Sequence, residues 1–418
     1  MQVSKPKKGY KLVDVGFGKS EESSEDWEYL EFLKITKSDK IKKIKIQTSH
    51  YLDEGKYPII DQGQDLICGF TNNSSLLYKG NLPIIIFGDH TLVVKYIDCP
   101  FAIGADGTKV IQINNEKCIP KFLYYSILGK NISSEGYKRH FSKLRDQKFF
   151  IPRDLKEQQK ILLMLSNVDD TLQKTNQLIQ KTELLKKGLM QKLLTKGIGH
   201  TKFKKIEWGY NREIKIPKEW EFVSLESSVL FQEGPGLRDW QFTTNGVKVI
   251  NIGNIVDGKL DISTTTRYIS QEEFDKKYTH FALDENDIVI SSSGWSYGKI
   301  AIVKKSDLPL MLNTSVIRFK SLNDKIIQKF LFSFLSSVFF KKQIEYQITG
   351  IDIPNFGSSH LKKMKIILPP INEQEQIASI VSNVDSQIQK EKLQKSNLEI
   401  LKKGLMQKLL TGKIRVKI

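Results

Sequence analysis

Eleven residues, Leu-Lys-Lys-Gly-Leu-Met-Gln-Lys-Leu-Leu-Thr, occur twice, at Leu185–Thr195 and at Leu401–Thr411, 216 positions apart. At the same offset, Glu157-Gln158, Ile161, Ser166-Asn167-Val168-Asp169, Gln173-Lys174 and Glu183 recur, so that 21 of the 41 positions from Leu155 to Thr195 are identical in the second copy. A chain carrying such a duplication folds as two related halves.

Both copies read as helix. Pro152 and Pro369-Pro370 stop the preceding segment, and Asp154 and Asn372 stand where a cap is needed, each three residues before a Glu (Glu157, Glu375). Apolar residues recur at intervals of four and three: Ile161, Leu165, Val168, Leu172, then Leu185, Leu189, Leu193 in the first copy, and Ile377, Val381, Val384, Ile388, then Leu401, Leu405, Leu409 in the second. That spacing predicts a coiled-coil seam. A helix of 41 residues is ~60 Å long at ~1.5 Å per residue, well past the usual ~11–12 residues of a globular helix. Such a helix alone exposes its stripe, so the two copies are expected to pack on each other.

The regions ahead of the helices are related more faintly. Asp26-Trp27-Glu28 opens one and Glu219-Trp220-Glu221 the other. Tyr57–Gln64 lines up with Val247–Asn254. Ile84-Ile85-Ile86 followed by Gly88–Thr91 lines up with Ile288-Val289-Ile290 followed by Gly294–Lys299. Each is a β-rich run entering a Gly-bearing polar loop, with Leu92-Val93-Val94 or Ile300–Val303 leaving it. Short strands with one helical patch near the end (Pro120–Leu128, Ile326–Phe340) predict an α+β globule dominated by β. The expected order is a globule at 1–153, a helix at 154–195, a basic linker at 196–216, a second globule at 217–370, a second helix at 371–412 and a basic tail at 413–418.

Charge narrows the partners. Lys plus Arg number 65 against 47 Asp plus Glu, a net charge of +18. The linker alone holds six Lys or Arg against two Glu, which suits a polyanion nearby. The start of the chain is polar and lacks an apolar run, so no signal peptide is read there. The most apolar stretch, Ile326–Phe340, is too short and too interrupted to span a bilayer, so no membrane partner is expected. Cys68, Cys99 and Cys118 are scattered, which argues against a disulfide framework or a Cys-based zinc site and fits a reducing cytoplasm.

Catalytic patterns are weak. Gly18-Lys19-Ser20 ends like a phosphate-binding loop, but Val13 stands where its first glycine belongs. Glu54-Gly55-Lys56 has the E-x-K form of metal nucleases without a preceding Pro-Asp, and reads better as a turn. The six histidines form no H-x-x-x-H pair, so no metal site is argued. There is no G-x-S-x-G elbow, no Asn/Asp-Pro-Pro-aromatic tetrapeptide of adenine methylation and no loop for S-adenosylmethionine. The chain is expected to bind rather than catalyse, without cofactor or metal.

The matching loops carry side chains suited to DNA. Gln62, Gln64, His90, Thr91 and Lys95 lie in the first globule; Asn251, Asn254, Ser292, Trp295, Tyr297 and Lys299 lie in the second. Asn and Gln suit the major-groove edge of adenine, Lys and Arg suit guanine, and apolar atoms suit the thymine methyl. Arg238 and Trp240 form a further basic-aromatic loop, and Arg139, Lys143 and Arg145 suit phosphates. For any one of these residues a solvated turn is the competing reading; the set as a whole favours DNA.

Taken with these residues, the chain resembles the specificity subunit of Type I restriction-modification enzymes. Phe87-Gly-Asp-His-Thr91, Pro100-Phe101 and Gly104-Ala-Asp-Gly-Thr108 resemble one of the family's target-recognition domains. Leu368-Pro-Pro-Ile-Asn-Glu-Gln374 resembles the entry to its conserved helices, and the eleven-residue block their end. The first entry, Ile151-Pro-Arg-Asp-Leu-Lys-Glu-Gln158, departs by lacking the second proline. The resemblance implies two recognition domains, each reading half of a split site in double-stranded DNA. It implies an antiparallel coiled coil with pseudo-two-fold symmetry that spaces the domains and docks two methyltransferase subunits. A restriction subunit, motor and nuclease in one, would join them, and S-adenosylmethionine chemistry would belong to the methyltransferase. A self-sufficient enzyme, a scaffold without DNA and a stand-alone repressor are the competing classes.

Overall fold

The computed structural model describes residues 6–16, 19–37, 44–130, 132–136, 138–208, 213–256, 258–348 and 355–416. The chain forms two compact units, residues 1–177 with 392–418, and residues 178–391. The ends of the expected tail (417–418) and four residues of the expected linker (209–212) lie outside the described residues, as does Gly18.

The first unit opens with a hairpin of β1 (Tyr10–Gly16) and β2 (Lys19–Ser24), then β3 (Trp27–Glu31), β4 (Thr36–Lys37), β5 (Lys45–Ile46), β6 (Tyr57–Ile60), β7 (Gly69–Thr71), β8 (Ile84–Gly88), β9 (Val94–Ile97), β10 (Ala102–Gly104) and β11 (Thr108–Ile113). The helix Pro120–Leu128 follows, then β12 (Lys148–Pro152) and the long central helix Leu155–Lys196. One sheet has the order β5-β10-β6-β7, with β10 parallel to both neighbours. The other, β4-β11-β8-β9, is antiparallel, and β12 pairs with β3. Strand β8 is buried along its whole length, which is why it reads Ile-Ile-Ile-Phe-Gly without alternation. The core joins Trp27, Phe122, Phe149, Ile161 and Leu165 to Leu409 and Leu410 from the end of the distal helix, Ile371–Leu409.

The second unit repeats this plan. A hairpin of β13 (Phe203–Glu207) and β14 (Glu213–Pro217) precedes Trp220, as β1–β2 precedes Trp27. The segment expected as a linker therefore holds two strands. Next come β15 (Glu221–Ser224), β16 (Val229–Glu233), β17 (Phe242–Thr243), β18 (Val247–Val249), β19 (Ile255–Val256), β20 (Lys259–Leu260), β21 (Tyr268–Ile269), β22 (Ile288–Ser291), β23 (Ile300–Ile302), β24 (Leu310–Met311) and β25 (Val316–Ser321). Helices Gln328–Leu335 and Val338–Gln347 follow, and β26 (Lys365–Leu368) leads into the distal helix. The sheet β16-β25-β22-β23 is the counterpart of β4-β11-β8-β9, and β15–β26 of β3–β12. The fold is thus mixed α+β, and the two long helices pack together in antiparallel fashion within each unit.

The ends of the helices are tied alike in both units. Trp27 Nε1 donates to Glu157 Oε2 at 3.3 Å, and Trp220 Nε1 to Glu373 Oε2 at 2.8 Å. Arg415 also meets Glu157 (3.2 Å), whereas His200 Nε2 lies 2.9 Å from Glu373 Oε1. Buried Gln158 accepts from Ile119 N–H and donates to Pro152 O; buried Gln374 accepts from Ile327 N–H and donates to Pro369 O. Lys402 pairs with Asp169 at 2.6 Å, and Lys186 with Asp385 at 2.5 Å. The repeat survives where it makes these contacts. Glu157 is taken up by the indole rather than by a capping box; Asp154 caps alone, accepting from Lys156 N–H at 2.7 Å. Asn372 lies inside the first turn, because the helix already starts at Ile371.

The seam differs from expectation in its second half. Burial on the central helix falls on Ile161, Leu165, Val168, Leu172, Thr175, Ile179, Thr182, Lys186, Leu189 and Leu193, an unbroken 4-3 spacing. On the distal helix it falls on Ile377, Val381, Val384, Ile388, Glu391, Lys395, Leu398, Lys402, Leu405 and Leu409. Leu185 and Leu401 are out of phase by one residue and stand 60% and 49% exposed. The lysine after each takes the seam position, lays its aliphatic stem inward and satisfies its ammonium on an aspartate.

Candidate nucleic-acid interface

In the first unit four loops converge on the turn after β8. The carboxylate-bearing Asp89 sits 2% exposed at its centre. Its N–H donates to Gly107 O (2.8 Å), its C=O accepts from His140 N–H (2.8 Å), and Oδ1 accepts from Phe141 N–H (2.8 Å). Lys109 Nζ lies 3.3 Å from Oδ2. Burial alone would raise the carboxyl, but the Phe141 N–H and the Lys109 ammonium outweigh it and hold Asp89 below its ordinary value. Gln62 ties the next loop in: Nε2 donates to Asp106 O (2.9 Å), Oε1 accepts from His90 N–H (3.2 Å), and its C=O accepts from Thr91 Oγ1 (2.6 Å). His90 Nδ1 lies 3.1 Å from Lys138 O. Sequence reasoning quoted Asp89 in a motif but not as the residue that assembles the loops. An acid directly after a wholly apolar strand is the signal for that role.

Replacing Asp89 with Ala leaves Phe141 N–H and Lys109 without their partner and is expected to cost about 2–3 kcal/mol. The pH dependence has a fixed sign. A depressed carboxylate adds stability above its unfolded pKa of ~3.9, and that stability is lost as pH falls through the lower folded value. Urea unfolding of wild type and Asp89→Asn should therefore show a gap at pH 7 that closes towards pH 3. An equal gap at both would remove the charge from the account.

In the second unit the corresponding turn follows β22. Ser292 N–H donates to Ser315 O (2.8 Å) and Ser292 O accepts from Phe356 N–H (2.9 Å), the same two bonds that Asp89 makes. Gly234 N–H donates to Val316 O, Thr314 Oγ1 to Pro235 O, and Ser358 N–H to the Glu233 carboxylate. Register places Ser291 opposite Val316 as Gly88 is opposite Thr108. Gly88 thus matches Ser291 rather than Gly294, because residues 291–299 make a loop three longer than residues 88–93. That loop is held from inside: Ser291 Oγ donates to Ser296 O (2.5 Å) and accepts from Lys299 N–H (3.0 Å), while Gly294 and Gly298 adopt φ of 73° and 79°. It presents Trp295 at 85% exposure, and Trp240, in the turn Asp239–Gln241, is 78% exposed. A large indole held in water by a braced loop is what a binding anchor looks like.

The candidate residues divide accordingly. Gln64, Thr91, Arg139, Arg145, Arg238, Trp240, Trp295 and Lys299 are exposed; Gln62, His90, Lys143, Asn251 and Tyr297 are half-buried. Lys143 is occupied by Glu135 at 2.6 Å. Three expected contacts are corrected. Lys95 is 4% exposed and its ammonium donates to Asp65 O. Asn254 is 2% exposed, accepting from Asn251 N–H and donating to Asp261 O. Ser292 is 4% exposed in the turn just described. These side chains spend their polar groups on the backbone of their own loops. Among the described residues no cluster of His, Cys, Asp or Glu suits a metal ion, and no helix is long and apolar enough to cross a membrane.

A family profile for the Type I restriction modification DNA specificity domain matches residues 24–184 and again 217–399. The chain belongs to the Type I restriction-modification specificity family. The Type I restriction enzyme MjaVIII specificity subunit of Methanocaldococcus jannaschii is 31% identical over 409 residues, 94% of each chain. The EcoR124I/EcoR124II specificity subunit of Escherichia coli is 22% identical over 86% of this chain and 87% of its own. In fold, this specificity chain is similar to the crystal structure of the Type I S subunit from M. genitalium, with a TM-score of 0.58 at 17% identity over 92% of this chain and 96% of that one. Both halves of the specificity fold are thus present, each with its own loop cluster.

Proposed function

We propose that this specificity subunit reads a bipartite site in double-stranded DNA, one half-site per unit, and docks two methyltransferase subunits and restriction motor-nuclease subunits in the cytoplasm. It contributes no catalytic group of its own. The two long helices act as an antiparallel coiled coil that spaces the units about a pseudo-two-fold axis. The observation that carries this reading is the contrast between repeated and unrepeated parts. The ties at Glu157 and Glu373, Gln158 and Gln374, and Lys402 and Lys186 recur 216 residues apart, while the loop clusters around Asp89 and Ser292 differ in length and side chains. A repeated frame with unlike loops fits a pseudo-symmetric reader of two unlike half-sites, roughly one helical turn (~34–36 Å) apart.

Methylation mapping of a host expressing this chain with its methyltransferase tests the proposal. A split motif with two different halves is the expected result; an unsplit motif, or none, sinks it. The charge of +18 adds a second expectation. Affinity for DNA should fall with salt at a log–log slope of about −0.9 per phosphate neutralised. A slope near zero would mean that the basic surface serves something other than DNA.

A further inference from the structure

The chain has five tryptophans. Trp27 and Trp220 are buried, and Trp208 is half-buried against the core of the second unit. Trp295 is the most exposed large apolar side chain among the described residues. No hydrogen bond or ring contact within those residues occupies its indole. So large an apolar group gains most from cover, and this chain supplies none.

The turn that carries it is stiff and otherwise small. Ser293, Gly294 and Ser296 flank the indole, so it stands clear of its neighbours in sequence. Behind it, Tyr297 N–H donates to Gly294 O (3.1 Å) and Gly298 N–H to Ser291 O (2.8 Å), in addition to the bonds of the Ser291 hydroxyl. Lys299 is exposed on the same turn. The first unit has no counterpart. Its shorter turn, residues 88–93, packs its large apolar residue, Leu92, against the core. Among the described residues no Phe, Tyr or Trp of that unit is exposed.

We propose that Trp295 is a stacking wedge that enters the base stack of the half-site read by the second unit and opens one base step there. This rests on the DNA reading proposed above and adds the residue and the mode of contact. A flat bicyclic ring on a stiff turn fits between base pairs, whereas a contact to a groove edge needs neither its size nor its bracing. Stacking on a base face gives the indole the cover it lacks and offsets the cost of unstacking the step. Lys299 can then meet a phosphate beside the opened step. Opening is easiest at pyrimidine–purine steps, TA or CA/TG, so the wedge selects such a step without a hydrogen bond to either base. With no exposed aromatic side chain in the first unit, one half-site is opened and the other is not.

The test takes the complex of this chain with the methyltransferase of its own system, bound to a duplex carrying the mapped motif, and probes it with permanganate, which oxidises unstacked thymines. Because the indole lies in water, its removal leaves the fold intact. Wild type should show a reactive step in the half-site that survives exchange of the first recognition domain. Trp295→Ala should lose that reactivity and bind about tenfold more weakly, and Trp295→Phe, which keeps a flat ring, should retain most of both. If every reactive thymine of wild type persists in Trp295→Ala, the opening belongs to the methyltransferase's extrusion of its target base and the wedge is overturned. Weaker binding with an unaltered permanganate pattern overturns it too, by making the indole a groove contact. So does a Trp295→Ala chain that loses its methyltransferase rather than DNA, which would make the indole a protein contact. A wild-type complex that methylates no motif and binds no duplex defeats the DNA reading itself, and the wedge with it.

Discussion

Exchanging residues 27–150 for the matching domain of a related specificity subunit is expected to replace one half of the methylated motif and leave the other half and the gap unchanged. The hydrogen bonds that shape the first loop cluster, from Gln62 to Asp106, Asp89 to Gly107 and His140 to Asp89, all close within that stretch. The graft must keep the indole that meets Glu157, the backbone groups that meet Gln158, the Tyr125 hydroxyl that donates to Asp169, and apolar side chains at Phe122 and Phe149 to pack with Ile161, Leu165 and Leu409. Methylation mapping reads the outcome. If both half-sites change together, the two units read DNA jointly and independent half-site recognition is wrong.

Insertions into the central helix between Lys174 and Lys181 should have two opposite effects. Four residues turn the downstream helix by only ~40° and lengthen it by ~6 Å, a displacement that a 4-3 seam absorbs by local unwinding. The gap in the target should then grow by one or two base pairs at ~3.4 Å each, with both half-sites kept. Two residues turn the same stretch by ~200° and carry Lys186, Leu189 and Leu193 off the packed face. Lys186 would leave Asp385, and Leu193 would leave the core it shares with Trp220 and Ile377. That variant should lose its fold or its methyltransferase rather than shift its target. An active four-residue variant with an unchanged gap would show that the helices do not set the spacing.

The duplication, the two long helices and the α+β character were legible in the sequence because identity at fixed offset needs no interpretation. The phase of the seam was not. Thr175, Thr182, Lys186, Glu391, Lys395 and Lys402 occupy 4-3 positions, and a reading that follows leucines steps onto Leu185 and Leu401 instead. The hairpin at β13–β14 hid for a similar reason. Phe203-Lys-Lys-Ile-Glu is mostly exposed and charged, so it carries little of the alternation by which strands announce themselves. At the loops, residue type indicated capacity for hydrogen bonding but not where that capacity is spent. Lys95 and Asn254 use theirs on loop backbone, while Trp240 and Trp295 are left in water by bracing that only the three-dimensional arrangement reveals.

The core of the first unit has a consequence for biosynthesis. Trp27, Phe122 and Leu165 pack with Leu409 and Leu410, and Leu405, Met406 and Val416 lie against them. The second unit draws its core from Met190 through Val381 alone. On a ribosome, the domain made first is therefore finished last. Its apolar face waits while some 240 further residues are added, roughly ten to fifty seconds at ~5–20 residues per second, and the second unit has all its parts before then. Nascent chains halted anywhere short of Leu409 would leave that face open to chaperones and to aggregation, however complete the later half has become.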